Sequence, residues 1–172
     1  MSWLVKFLAT GFGVGYAPIL SGTWGSVIGI PLFLALSGLS FLPFFAVTIG
    51  LTLFAIWIAH LAIPLIQNAK KPGDPSQIVI DEIVGFLWGA GILQFAGVWN
   101  PKEGILWLVV ISFILFRLFD AAKVWPVSWA EAKFRGGLGV VIDDVVAGAM
   151  AGIVGILFCI LYPFIVYAFA SL

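Results

Sequence analysis

Two stretches of the chain set paired acids into otherwise apolar surroundings. Val140–Gly148 reads Val-Val-Ile-Asp-Asp-Val-Val-Ala-Gly, and Ile78–Gly85 aligns without a gap on Val140–Ala147, placing Asp81 and Glu82 opposite Asp143 and Asp144. In lipid or at its edge an ionised carboxylate is costly unless it is paired or binds a cation. These four acids are therefore candidate metal ligands, and an all-oxygen donor set suits a hard cation such as Mg²⁺. A third stretch spaces Arg117, Asp120 and Lys123 three apart, so on a helix each base lies about 60° to either side of the acid. Either the bases simply neutralise Asp120, or Asp120 holds metal while Arg117 and Lys123 bind a phosphate. The planar guanidinium suits the second role because it engages phosphate oxygens two at a time. Asp81, Glu82, Asp120 and Asp144 are the candidate catalytic residues.

Two glycine clusters give weaker signals. Gly22-Thr23-Trp24-Gly25-Ser26 at a helix start offers backbone N–H groups and the hydroxyls of Thr23 and Ser26 to an anion, and Gly136-Gly137-Leu138-Gly139 does likewise. Tight turns and close helix packing account for such glycines equally well. Neither cluster carries the lysine of a P-loop, so nucleotide binding is not indicated.

The elements that must position these groups are helices in a membrane. The 172 residues are 63% hydrophobic and only 9% charged, against about a quarter charged in a typical soluble chain. The expected fold is all-α: a polytopic helical membrane protein of about five membrane-embedded helices plus a short N-terminal interfacial helix, residues 1–172 forming one domain. Zero net charge gives no bulk attraction to nucleic acid. The single cysteine, Cys159, excludes an internal disulfide and reads as inert packing. His60 stands alone on an apolar helix and reads as a packed or interfacial residue. The tryptophans read as a membrane-boundary belt, and no signal-peptide cleavage site follows Trp3–Leu8.

In order, Ser2–Ala9 suits an interfacial helix, and Gly11–Ser26 reads as a loop in which Thr23 or Ser26 caps the next helix. Val27–Ile66 is long enough for two passes, reversing at Ser37-Gly38-Leu39-Ser40 with Pro43; Pro31 is a candidate kink in the first. Lys70–Ser76 is a polar connector, and a third helix is expected from about Gln77 to Trp99. Asn100 as N-cap, Pro101 at the first helical position and Glu103 in a capping box start a fourth helix that runs to about Lys123. Trp125–Gly139 is a second polar connector. The last helix is expected to begin near Val140 and continue past Gly155, with Pro163 bending its far end.

On this map five of the chain's eight acids arrive at one membrane face. Gly85 and Gly89 share the Asp81 stripe, and Gly148 and Gly152 share the Asp144 stripe, a spacing that lets helices approach closely. Asp144, on that stripe, is the first choice within its pair for metal. Lys6, Lys70, Lys71, Arg117, Lys123, Lys133 and Arg135 fall on the site side and only Lys102 on the other, which places the site in the cytoplasm and the C-terminus outside.

These motifs resemble the phosphatidylglycerophosphatase A family of bacterial Mg²⁺-dependent lipid phosphatases. The matching pieces are Gly11-Phe12-Gly13-Val14-Gly15 with Gly22–Ser26, Asp81–Gly85, Phe116–Lys123, and Gly136–Gly139 running into Asp143–Gly148. They occur in order from Gly11 to about Gly152. Where the family usually has proline, this chain has Ser21 in the glycine-rich loop and Val124 after the third motif. The resemblance implies hydrolysis of the phospholipid phosphatidylglycerophosphate to phosphatidylglycerol and inorganic phosphate, at the cytoplasmic leaflet of the bacterial inner membrane.

In the expected mechanism the five acids hold one or two Mg²⁺ ions, Arg117 and Lys123 stabilise the phosphoryl oxygens, and one acid takes the proton of an attacking water. A covalent aspartyl-phosphate is the open alternative; no cysteine or histidine lies near enough to the motifs to be the nucleophile. A Mg²⁺-dependent phosphatidyltransferase is one rival, weakened by the lack of its longer aspartate-spaced motif. A non-enzymatic cation transporter is another, but its acids belong near the bilayer midplane.

Overall fold

The computed structural model describes residues 2–66, 75–98 and 104–170, with side chains as far as Tyr162. Among them there are only helices and turns. These are α1 (Ser2–Ala9), a 3₁₀ turn (Val14–Tyr16), α2 (Ser21–Leu36), α3 (Phe41–Ala62), α4 (Ile80–Phe95), α5 (Ile105–Ala122), α6 (Val127–Lys133) and α7 (Gly136–Ala170).

α4 is the central element. It is apolar on every side, the pattern of a helix enclosed by others, and α7, α2, α3 and α5 surround it. Phe86 and Leu87 on α4 are fully buried, together with Phe33 of α2, Phe44 of α3 and Phe116 of α5. Phe33 meets both Phe44 and Phe86 edge to face, with centroids 6.1 Å apart in each pair, an arrangement worth about 0.5–1.5 kcal/mol beyond area burial. At the end of α4 away from its acids, Gln94 Nε2 donates to the Ser37 carbonyl at 2.9 Å. This ties the α4 C-terminus to the reversal between α2 and α3.

Three helices are long and apolar enough to cross a membrane: α3, α5 and the Gly136–Tyr162 part of α7. Their outward sides carry exposed residues such as Leu53 and Trp57, Leu106 and Ile114, and Ile153 and Leu157. The expectation of about five membrane-embedded helices is thus reduced to three candidate spans among the described residues. The reason is length. α2 and α4 have 16 residues each, about 24 Å at 1.5 Å per residue, short of a hydrocarbon core of about 30 Å.

Other boundaries also move. α2 begins at Ser21, so the Gly22–Ser26 cluster forms helical turns, not a loop. α7 begins at Gly136, four residues before the expected Val140, and the second glycine cluster is its first turn. The physical reason is packing: a Cβ on Gly137 would collide with the Ile56 carbonyl and the His60 backbone of α3. The connector expected over Trp125–Gly139 contains α6. The reversal at Ser37–Ser40 stands where expected, and α2 carries Pro31 within it. The Asn100–Glu103 helix start, Lys70, Lys71 and Lys102 lie outside the described residues, as does the side chain of Pro163.

Candidate active site

The connector before α4 determines where the first acid pair stands. Val79, fully buried, donates its N–H to the Ala9 carbonyl at 2.9 Å, so the end of α1 holds the approach to Asp81. The N-terminal glycines lie under this connector. A Cβ on Gly15 would strike the Gln77 carbonyl, and one on Gly25 would come within 2.8 Å of Val79 Cβ. Asp81 and Glu82 then occupy the first turn of α4, where the positive end of the helix dipole favours carboxylates.

Asp143 and Asp144 lie about two turns into α7, not at its start. They reach the first pair because α4 and α7 cross in contact. A Cβ on Gly85 would be 2.7 Å from the Asp144 carbonyl oxygen, and one on Gly148 would run into the Gly85 backbone. Glycine at both positions is what permits that approach.

The third group closes from α5. Lys123 caps that helix in the left-handed region at φ +46°, a conformation costing about 1–2 kcal/mol for a residue with a Cβ. The turn carries its ammonium to α7, where it donates a hydrogen bond to Asp143 Oδ2. It also stands 3.6 Å from Asp120 Oδ1, and Arg117 Nη1 lies 2.7 Å from Asp120 Oδ2. Burial alone would lower the Lys123 pKa, but the Asp143 carboxylate, with Asp144 and Asp120 behind it, more than offsets this. The result lies above the ordinary 10.5.

The five acids therefore divide. One oxygen each from Asp81, Glu82 and Asp144 lies within 4.8 Å of the others, while Asp120 and Asp143 engage the two cations. Asp81 and Asp144 are 7% and 3% exposed, and Glu82 Oε2 is buried without a hydrogen-bond partner among the described residues. Three crowded carboxylates with an unserved oxygen repel one another unless a cation or protons join them. Their oxygen-only donors fit a hard divalent ion. All five acids, Arg117 and Lys123 line one cleft of about 310 Å³.

Gly22 of the first glycine cluster lines this cleft, and so do Ser21 and Ser76, which sequence reasoning had not assigned to the site. Ser21 Oγ donates to the Ser76 carbonyl at 2.8 Å, joining the α2 start to the connector. The available signal was the closeness of Ser76 to Asp81 and of Ser21 to the glycine cluster. Ser26 is fully buried; its Oγ donates to the Gly22 carbonyl at 3.1 Å and accepts from Arg117 Nη1 at 3.4 Å. Thr23 is not among the cleft-lining residues. His60 is exposed beside Gly136, away from the cleft, and Cys159 packs against the core.

The structure is a bundle of apolar helices in which an acid trio compatible with a metal ion lies in one cleft with an arginine and a lysine. The Phosphatidylglycerophosphatase A family profile matches residues 7–159, and the chain belongs to that family of phosphatases. It is 36% identical over 159 residues to Phosphatidylglycerophosphatase A of Escherichia coli K12, covering 89% of this chain and 81% of the relative. The Haemophilus influenzae Phosphatidylglycerophosphatase A is 33% identical, covering 87% and 85%. A Putative phosphatidylinositol-3-phosphatase of Bacteroides thetaiotaomicron is 34% identical, covering 86% and 88%. No solved structure matches the chain.

Proposed function

We propose that the chain is a single-domain, Mg²⁺-dependent phosphatidylglycerophosphatase of the bacterial inner membrane, with its cleft facing the cytoplasm. The observation that carries this reading is the acid trio with its unserved Glu82 oxygen beside Arg117 and Lys123. Asp81, Glu82 and Asp144 would hold the ion, and Asp120 and Asp143 remain candidates for it. When bound, the ion supplies charge neutralisation to a phosphomonoester and lowers the pKa of water.

The chain's own groups account for the remaining roles. Arg117 and Lys123 receive the phosphoryl oxygens, Arg117 with its fork and Lys123 as a point charge. Asp120 and Asp143 orient these two cations before substrate arrives, which reduces the ordering required in the transition state. Ser26 supports Arg117 from behind. One carboxylate of the trio takes the proton from water attacking phosphorus in line, the P–O bond to the lipid's glycerol breaks, and the leaving oxygen takes up a proton to give the free alcohol and phosphate. Thr23 stands one residue beyond the cleft's Gly22 and is the weakest member of the proposed phosphate set. The acyl chains stay among the apolar helices, so only the headgroup enters.

The relative whose name points to a phosphoinositide shares the chemistry of a phosphomonoester on a lipid headgroup. Names among the relatives favour the glycerol headgroup for this chain. The test supplies purified protein in detergent with phosphatidylglycerophosphate or phosphatidylinositol 3-phosphate, with Mg²⁺ or with chelator, and measures free phosphate. Release from the first lipid, lost on chelation, is expected. No release from folded protein in Mg²⁺ would overturn the proposal.

A further inference from the structure

The short helix α6 takes no part in the cleft, yet its two sides differ sharply. Val127 and Ala130, one turn apart, are fully buried. On the other side Trp129 is 48% exposed and Trp125, just before the helix, is 77% exposed. Lys133 and Arg135 are exposed on the same stretch. The Lys133 ammonium lies 4.5 Å from the Trp129 ring centroid and 5.8 Å from that of Phe134. Such cation–π contact holds the charge beside the rings while leaving it open to an anion.

The chain's connectivity fixes where this face can be. α6 hangs between two candidate spans, four residues after α5 ends at Ala122 and two before α7 begins at Gly136. The tighter tether is the two-residue link to α7, which reaches at most about 7 Å, and the headgroup layer on each side of the hydrocarbon is roughly 5–8 Å thick. With α5 and α7 crossing a bilayer, α6 is confined to that layer or its edge. Tryptophan with lysine and arginine is the composition suited to that depth: the ring meets the acyl–headgroup boundary and the cations meet phosphates. Glu131, half-buried on α6, is the acid on this helix, so the outward face is net positive.

We propose that Trp125, Trp129, Lys133 and Arg135 form a docking surface for anionic phospholipid headgroups of the surrounding bilayer. Trp125 is two residues from Lys123, which lines the cleft. The surface therefore concentrates acidic lipid beside the entrance to the cleft. The inference rests on α5 and α7 spanning the bilayer and not on the phosphatase reading.

The experiment uses the full chain reconstituted in vesicles of phosphatidylcholine with spin-labelled phosphatidylglycerol or spin-labelled phosphatidylcholine, read by electron spin resonance. Wild-type protein is expected to prefer the anionic label in its motionally restricted lipid. Lys133→Gln/Arg135→Gln should reduce occupancy of the preferred sites by roughly fivefold for each charge removed. Trp129→Phe should weaken the preference less, and its fluorescence difference from wild type should be quenched by lipids brominated near the headgroup. Unchanged preference in the double charge variant would overturn the surface. So would displacement of the anionic label by millimolar inorganic phosphate at constant ionic strength, since that describes a free-anion site. No restricted lipid at all would overturn the membrane reading together with the surface.

Discussion

The two acid pairs begin as near copies in sequence and end in different work. Asp81 and Glu82 both contribute an oxygen to the trio, whereas Asp143 and Asp144 separate: Asp144 joins the trio and Asp143 takes the Lys123 ammonium. Position explains the split. All four acids line the cleft, but the first pair stands together in the first turn of α4, where both of its members reach Asp144. The second lies in mid-helix, where neighbours point about 100° apart, so Asp144 faces α4 and Asp143 faces the end of α5. A repeated motif thus supplies four carboxylates, of which three stand within ligand distance of one another and the fourth accepts a hydrogen bond from Lys123.

The sharpest way to break this comparison is to remove one amide-isosteric oxygen from each member of the second pair. Asp144→Asn is expected to lower phosphate release by about 10³-fold or more and to weaken Mg²⁺ binding by calorimetry. Asp143→Asn should cost about 10–100-fold in activity, typical of a group orienting another, with Mg²⁺ affinity little changed. Equal loss of metal affinity in both variants would show that the pair acts as one unit.

The next effect tests the crossing that brings the pairs together. Gly148→Ala places a Cβ against the Gly85 backbone. It should destabilise the protein by about 1–3 kcal/mol, read as a lower unfolding midpoint in detergent, and lessen the stabilisation gained from Mg²⁺. Unchanged Mg²⁺ stabilisation would mean the trio does not depend on that contact.

A smaller effect concerns Lys123. Combining Asp143→Asn with Lys123→Gln should cost less than the sum of the single losses in kcat/KM, with a coupling of about 0.5–3 kcal/mol. Because the Lys123 pKa is raised, the ammonium's contribution to stability is complete below the ordinary 10.5 and is lost only as pH climbs through the higher folded value. Wild type and Lys123→Arg should therefore share the same alkaline limb of the activity profile up to about pH 10. The mildest change is Ser26→Ala, which removes one 3.4 Å contact to Arg117. A loss of no more than several-fold in kcat/KM is expected, within the worth of a single hydrogen bond.

Residue types and spacing alone determined the class of the molecule and the inventory of its site. Apolar runs broken by glycine and proline are local signals, so the long helices and the Ser37–Ser40 reversal could be read directly, while α6 and the starts of α2 and α7 could not. A carboxylate in an apolar run is conspicuous whatever surrounds it, so the acids, Arg117 and Lys123 were visible too. Tertiary structure decided what those signals leave open. Whether a glycine cluster is a loop or a contact depends on what lies against it: Gly137 meets α3, and Gly15 and Gly25 lie under the connector that presents Asp81. Whether an apolar helix must span lipid depends on its neighbours, and α4 is enclosed by protein. The division of five acids into a trio and two orienting partners is three-dimensional as well. It follows from which faces of α4, α5 and α7 meet, since only the partner helix tells Asp143, which meets Lys123, from Asp144, which meets α4.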